Sequence, residues 1–247
     1  MIHIWHEDSS SSATNLFWEF LKEHKVSNVF VDADIKGFDG NKNLHNYVCN
    51  AIYNVHDTYY IFVDCVPDNQ KALRYYNGIK QASLNYKNVK VLDLLCFEYL
   101  LLKFRYLLNW IKPEKLTKDY VEGEIARAEF IKVVESKNSW LNNDILVKYI
   151  VKNKGIDTSV QGWQRELFFV SMENLATLIL SKMSNGGTTE FGVSKTNLGR
   201  CWYCDCCSKY NNRKIGNVKC RMYRYGKKAT DKARILWNHT DAHKYIK

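Results

Sequence analysis

The chain has 247 residues, 46% of them hydrophobic and 14% aromatic, and a formal net charge of +10. That apolar content excludes a wholly disordered chain and leaves room for one large domain, or a domain with an appendage. A membrane span is not expected, because the most apolar stretch, VLDLLCFEYLLLKFRYLLNW, is broken by Asp93, Glu98, Lys103 and Arg105.

The opening MIHIWHED lacks the basic and apolar regions of a signal peptide, which sets the expectation of a cytoplasmic protein with reduced thiols. Residues 1–5 alternate and predict a strand. In ATNLFWEFLKEH, Leu16, Phe17, Phe20 and Leu21 fall at helical spacing, and the serine run before it offers a cap. SNVFVDAD predicts a second strand ending in Asp32 and Asp34. A turn, GFDGN, leads to a helix over LHNYVCNAIYNV. TYYIFVD is a third strand, apolar and aromatic until Asp64, and Pro67 opens the loop to a helix over NQKALRYYNGIKQASLNY. VKVLDLL predicts a fourth strand or junction, and FEYLLLKFRYLLNW one long helix. Strands apolar on both faces, alternating with helices, argue for a parallel sheet covered on both sides. The fold class is therefore α/β, with this Rossmann-like domain at 1–112, a helical region at 113–184 and a basic cysteine-rich module at 185–247.

The charge is concentrated in that last module. From Lys195 onward there are fourteen Lys and Arg against three Asp and Glu, whereas the first 194 residues hold 22 basic and 23 acidic residues. A basic segment interleaved with aromatics is the footprint of a nucleic-acid partner, with Arg213, Lys214, Arg221 and Arg224 as candidate contacts. A solubilising surface is the plainer alternative. The same segment reads RCWYCDCCSKY. The spacing of Cys201, Cys204 and Cys207, with Cys220 further on, suits a structural Zn²⁺ that would staple a module too small to fold unaided. His239 or His243 is an alternative ligand, and a redox pair or unliganded thiols are the other readings. Cys49, Cys65 and Cys96 lie in apolar sequence and read as inert buried thiols.

Two short motifs fail. DADIKGFDGNKN imitates a calcium loop but has Asn43 where a bidentate glutamate is required. HTDAH lacks the glutamate of the zinc-protease signature.

Acidic residues stand at the predicted ends of three strands: Glu7 and Asp8, Asp32 and Asp34, Asp64 and Asp68. Gathered carboxylates repel unless a proton or cation neutralises them, and oxygen ligands of this kind suit Mg²⁺. Helix-capping and loop roles are the plainer reading of each residue alone. The strand ends IHIWHE and YYIFVDCVPDN, in this order, resemble the Toprim superfamily, which includes topoisomerases, primases and the nuclease domains of OLD-type and other phage-defence proteins. The resemblance covers roughly residues 1–110. It implies a Mg²⁺-dependent site in which Glu7 matches the family's glutamate and Asp64 the first Asp of its DxD motif. Asp68 would be the second, at a spacing of four where the family has two, and Asp8 replaces the usual glycine. Asp34 is a possible fourth ligand, Glu98 a further acidic position, and Lys36 and Lys42 candidates to steady a scissile phosphate. The expectation is a metal-dependent nuclease or related phosphoryl-transfer enzyme, acting in phage defence or nucleic-acid processing. The alternatives are a non-catalytic nucleic-acid-binding or regulatory protein on the same scaffold, and a module whose basic tail meets an acidic protein.

Overall fold

A computed structural model describes residues 1–111, 116–185, 214–215, 218–219 and 229–246. Its centre is a four-stranded, all-parallel sheet of β1 (Ile2–His6), β2 (Ala33–Gly37), β3 (Thr58–Phe62) and β4 (Val89–Val91), in the order β2-β1-β3-β4. The connecting helices are α1 (Ala13–Glu23), α2 (Asn41–Asn50) and α3 (Gln70–Ser83). The predicted α/β class and parallel sheet are present.

Alternation along the strands supplies two cores. Ile4, Tyr60 and Phe62 point to the α1 face and join Phe17, Trp18 and Leu21. Trp5, Tyr59 and Ile61 point to the opposite face and meet Leu44 and Val48 of α2 and Tyr76 and Ile79 of α3. Helix starts follow local chemistry: Ser12 accepts Asn15 N–H at α1, and Asn69 accepts Ala72 N–H at α3.

The second strand departs from its prediction. SNVFVDAD forms a 3₁₀ turn over Asn28–Phe30, and the strand begins only at Ala33. The apolar signal came from Phe30, buried in the main core and packed edge-on against Trp237 with ring centroids 5.2 Å apart. Asp32 and Asp34 therefore stand at the start of the sheet edge and not at its carboxyl end.

Beyond β4 lie α4 (Phe97–Leu102), α5 (Leu107–Ile111), α6 (Lys118–Glu135), α7 (Asp144–Lys154) and α8 (Met172–Asn185), with a 3₁₀ helix at Trp163–Phe169. The expected single helix over 97–110 is split. Arg105 N–H leaves the helical pattern to bond His239 O at 3.0 Å, and half-buried Arg127 donates to the carbonyls of Leu102 and Phe104. Those bonds satisfy acceptors that a helix end leaves open. A short antiparallel pair, β5 (Lys214–Ile215) and β6 (Val218–Lys219), precedes α9 (Ala229–His239) and α10 (Ala242–Tyr245). Ala233 and Leu236 of α9 are fully buried in the same core as α1, α4, α6, α7 and α8. Among the described residues no helix is long and apolar enough to cross a membrane.

Candidate functional site at the carboxyl edge of the sheet

β1 and β3 are neighbours, yet the chain leaves β1 toward β2 on one side and β3 toward β4 on the other. Ligands of open parallel sheets bind at such a switch point, beyond the carboxyl ends of the strands. Glu7 follows β1 there and Asp64 follows β3. The backbone makes their meeting obligatory: Glu7 N–H bonds Phe62 O at 3.3 Å, and Asp64 N–H reaches Glu7 Oε2 at 3.4 Å.

A side-chain hydrogen bond joins the two carboxyls. Burial is the main cause holding the Asp64 carboxyl well above the usual carboxylate range, reinforced by Glu7, Glu98 and Glu173. Glu7, less enclosed, is pushed up to about 7, chiefly by burial and then by Asp8 and Glu173, against the lowering effect of its bonds from Asp64. Close, buried carboxylates hold a proton to a higher pH than isolated ones, because two negative charges there repel. Glu98, in the first turn of α4, is 2% exposed and adds to this field. Asp8 receives the hydroxyl of buried Thr14, which fixes the loop after Glu7 onto α1.

Glu7 and Asp64 open on a cavity of about 360 Å³ that also receives Lys42, Lys71, Tyr75 and Glu173. Lys42 comes from the first turn of α2, whose N-cap, Gly40, gives no side-chain cap. Glu173 arrives from α8, more than a hundred residues after Asp64 in the chain. Sequence reading missed it, and its only local mark is an acidic residue in a helix's first turn.

The other expected site residues have different surroundings. Asp68 does not join Glu7 and Asp64; both its oxygens accept Met172 N–H, at 3.0 and 3.1 Å, so it anchors the start of α8. Asp34 sits at the opposite end of the sheet, with His3 Nδ1 3.1 Å away. Lys36 leans over the rings of Tyr47 and Phe38, 4.1 and 4.9 Å from their centroids, on the α2 side of the sheet. Of the thiols, Cys96 is fully buried and Cys65 half-buried, and burial pushes both up, Cys96 the further. Cys49 is exposed, unlike its expectation, with His45 Nε2 at 3.6 Å. His239 packs against Tyr106, and His243 Nδ1 lies 3.1 Å from Trp237 O. Lys214 pairs with Lys219 across the β5–β6 ladder. Arg213, Arg221, Arg224, Cys201, Cys204, Cys207 and Cys220 lie outside the described residues.

Among the described residues no group of three or more His, Cys, Asp or Glu side chains is arranged to hold a metal ion. The donor set that does converge, Glu7 with Asp64, matches the one or two carboxylates by which Mg²⁺ is commonly held, the remaining positions being water and substrate phosphate. Comparison of the chain with protein-family models, curated proteins and solved structures returns no match.

Removing the carboxylate of Asp68 with alanine is expected to cost about 1 kcal/mol through the lost anchor of α8. Chemical denaturation of Asp68→Ala checks this, and an unchanged midpoint would show that Asp68 does not anchor α8.

Proposed function

We propose that this chain is a divalent-cation-dependent enzyme that cleaves phosphodiester bonds in nucleic acid, with a Toprim-like site built on Glu7 and Asp64. The observation that carries the reading is the convergence of these two carboxyls at the switch point, in a cavity flanked by Lys42 and Lys71. A bound Mg²⁺ would supply Lewis acidity and a water of lowered pKa. Glu7 and Asp64 would hold that ion after releasing the proton they share. Lys42 and Lys71 are compact positive charges suited to a phosphate, and the uncapped start of α2 adds backbone N–H groups pointing the same way. Glu173 faces the same space and would orient water there.

The structural zinc at Cys201, Cys204, Cys207 and Cys220, and the nucleic-acid grip of the basic segment, belong to the same proposal. The carboxyl-to-carboxyl hydrogen bond favours a second reading: a sheet that keeps the fold, lacks the ion and only binds nucleic acid.

The experiment is incubation of the full chain with single-stranded and duplex DNA and RNA under Mg²⁺, Mn²⁺ and EDTA, with metal analysis of the same preparation. Cleavage confined to the divalent conditions is expected, with zinc near one per chain. Binding without cleavage in every condition would leave the second reading, and a zinc-free preparation would remove the staple.

A further inference from the structure

A second cavity, of about 640 Å³, lies at the other end of α2 and was not anticipated from the sequence. It forms because α2 and α3 cover β1 and β3 while the matching face of the edge strand β2 stays exposed at Asp34 and Lys36. The register Trp5↔Lys36 and His3↔Tyr59 puts these side chains on one face. Trp5 and Tyr59 make the floor. Asn46, Tyr47 and Asn50 of α2 make the wall, and Lys36 reaches in from the strand.

We infer that this cavity takes an unpaired nucleobase, so that a single nucleic-acid strand runs along α2 from the base pocket to the carboxylate cavity. This rests on the nuclease reading for what happens at the far end. Four observations carry it. Tyr47 is 40% exposed and is held between Trp5, edge-on at 5.0 Å, and Phe38, tilted at 4.6 Å, which fixes an aromatic ring at the mouth of the cavity for a planar base to meet. The exposed amide of Asn46 offers both a donor and an acceptor, as a base edge requires. The ammonium of Lys36 rests over Tyr47, where its three donors stay available for a phosphate. Finally, Lys42, Asn46 and Asn50 are four residues apart and all exposed, so they form one stripe down α2. That stripe carries no acidic residue, joins the two cavities, and spans about 15 Å over the ten residues of α2. Such a length matches a few nucleotides of single strand.

The test uses the full chain in EDTA, so that binding is read without cleavage. The probes are single-stranded oligonucleotides with 2-aminopurine at successive positions, beside the same label in a hairpin duplex. Quenching at a preferred position of the single strand is expected. Tyr47→Ala should abolish it and weaken single-strand binding about tenfold, while Tyr47→Phe keeps both. Lys36→Gln should lower the salt dependence by about one phosphate contact. Unchanged quenching in Tyr47→Ala, or an equal loss of affinity for the duplex, would overturn the inference. The two readings fail separately. A protein that cuts under Mg²⁺ but ignores Tyr47 overturns only the base pocket, and one that binds through Tyr47 but cuts nothing overturns only the cleavage.

Discussion

Replacing Glu7 with glutamine is expected to lower divalent-dependent cleavage by about a thousandfold or more, and at the same time to stabilise the cation-free protein at pH 8. The first effect follows from losing one of two carboxylates that would hold the ion, whose transition-state contribution is several kcal/mol. The second follows from proton linkage. Glu7 is pushed up to about 7 in the folded chain, from an ordinary value of 4.5. The folded state therefore keeps a proton that the unfolded state has already released. Stability from this group is complete below about pH 4.5, declines as the pH rises to about 7, and stays low above it. The decline amounts to about 1–3 kcal/mol, and a half-buried Glu7 belongs toward the lower end. Glutamine has no proton to lose, so the variant should show a flatter profile between pH 5 and pH 8, and Mg²⁺ should raise the wild-type melting temperature at pH 8 but not the variant's. Thermal unfolding across that range checks it. Parallel profiles for the two proteins would mean the carboxyl pair is not strained, and the cation argument would lose its basis.

The other large effect is expected at Gly37, the last residue of β2. A Cβ built there would lie 2.5 Å from Asp8 O, 2.9 Å from Ser10 N and 2.9 Å from His6 Cε1. Two of these are backbone atoms, and the third belongs to a fully buried ring held by Asn15. None can swing away, so the loop that follows Glu7 must move. Gly37→Ala should cost about 1–3 kcal/mol, which for a chain of this size lowers the melting temperature by roughly 2–12 °C. Displacing Glu7 from Asp64 should also reduce cleavage about a hundredfold, far beyond what the stability loss explains. Gly123 makes the contrast. Its added Cβ would meet Met183 Cγ at 2.5 Å, in a fully buried side chain that must change rotamer, and its three nearest neighbours all belong to Met183 and not to the loop after β1. Gly123→Ala should therefore cost about 1–3 kcal/mol as well, yet leave cleavage intact. Equal cleavage by the two variants would show that the loop after β1 is not held as described.

The outline of the sheet was legible because β1 and β3 are central, apolar on both faces, and finish in an acidic residue. Glu7 and Asp64 stood among the acidic residues that the predicted strand ends offered. β2 was misplaced because an edge strand need not be apolar: ADIKG keeps Asp34 and Lys36 in solvent, while the apolar letters just before it serve a distant helix. The long helix over 97–110 was misjudged for a related cause. Its periodicity continues, but Arg105 finds its acceptor in His239, which no local pattern encodes. Glu173 and the true partner of Asp68 were hidden by the same distance, since both depend on α8 returning to the mouth of β3.

The docking of α9 bears on how the chain would respond to being cut. Residue 185 ends a helix packed in the core, and residue 229 begins another whose Ala233, Leu236 and Trp237 are buried against it. The chain is thus moored to the core on both sides of residues 186–228. A protease nick within 186–228 would produce two fragments that remain associated as a complemented pair. They should travel as one species in gel filtration and part only in denaturant.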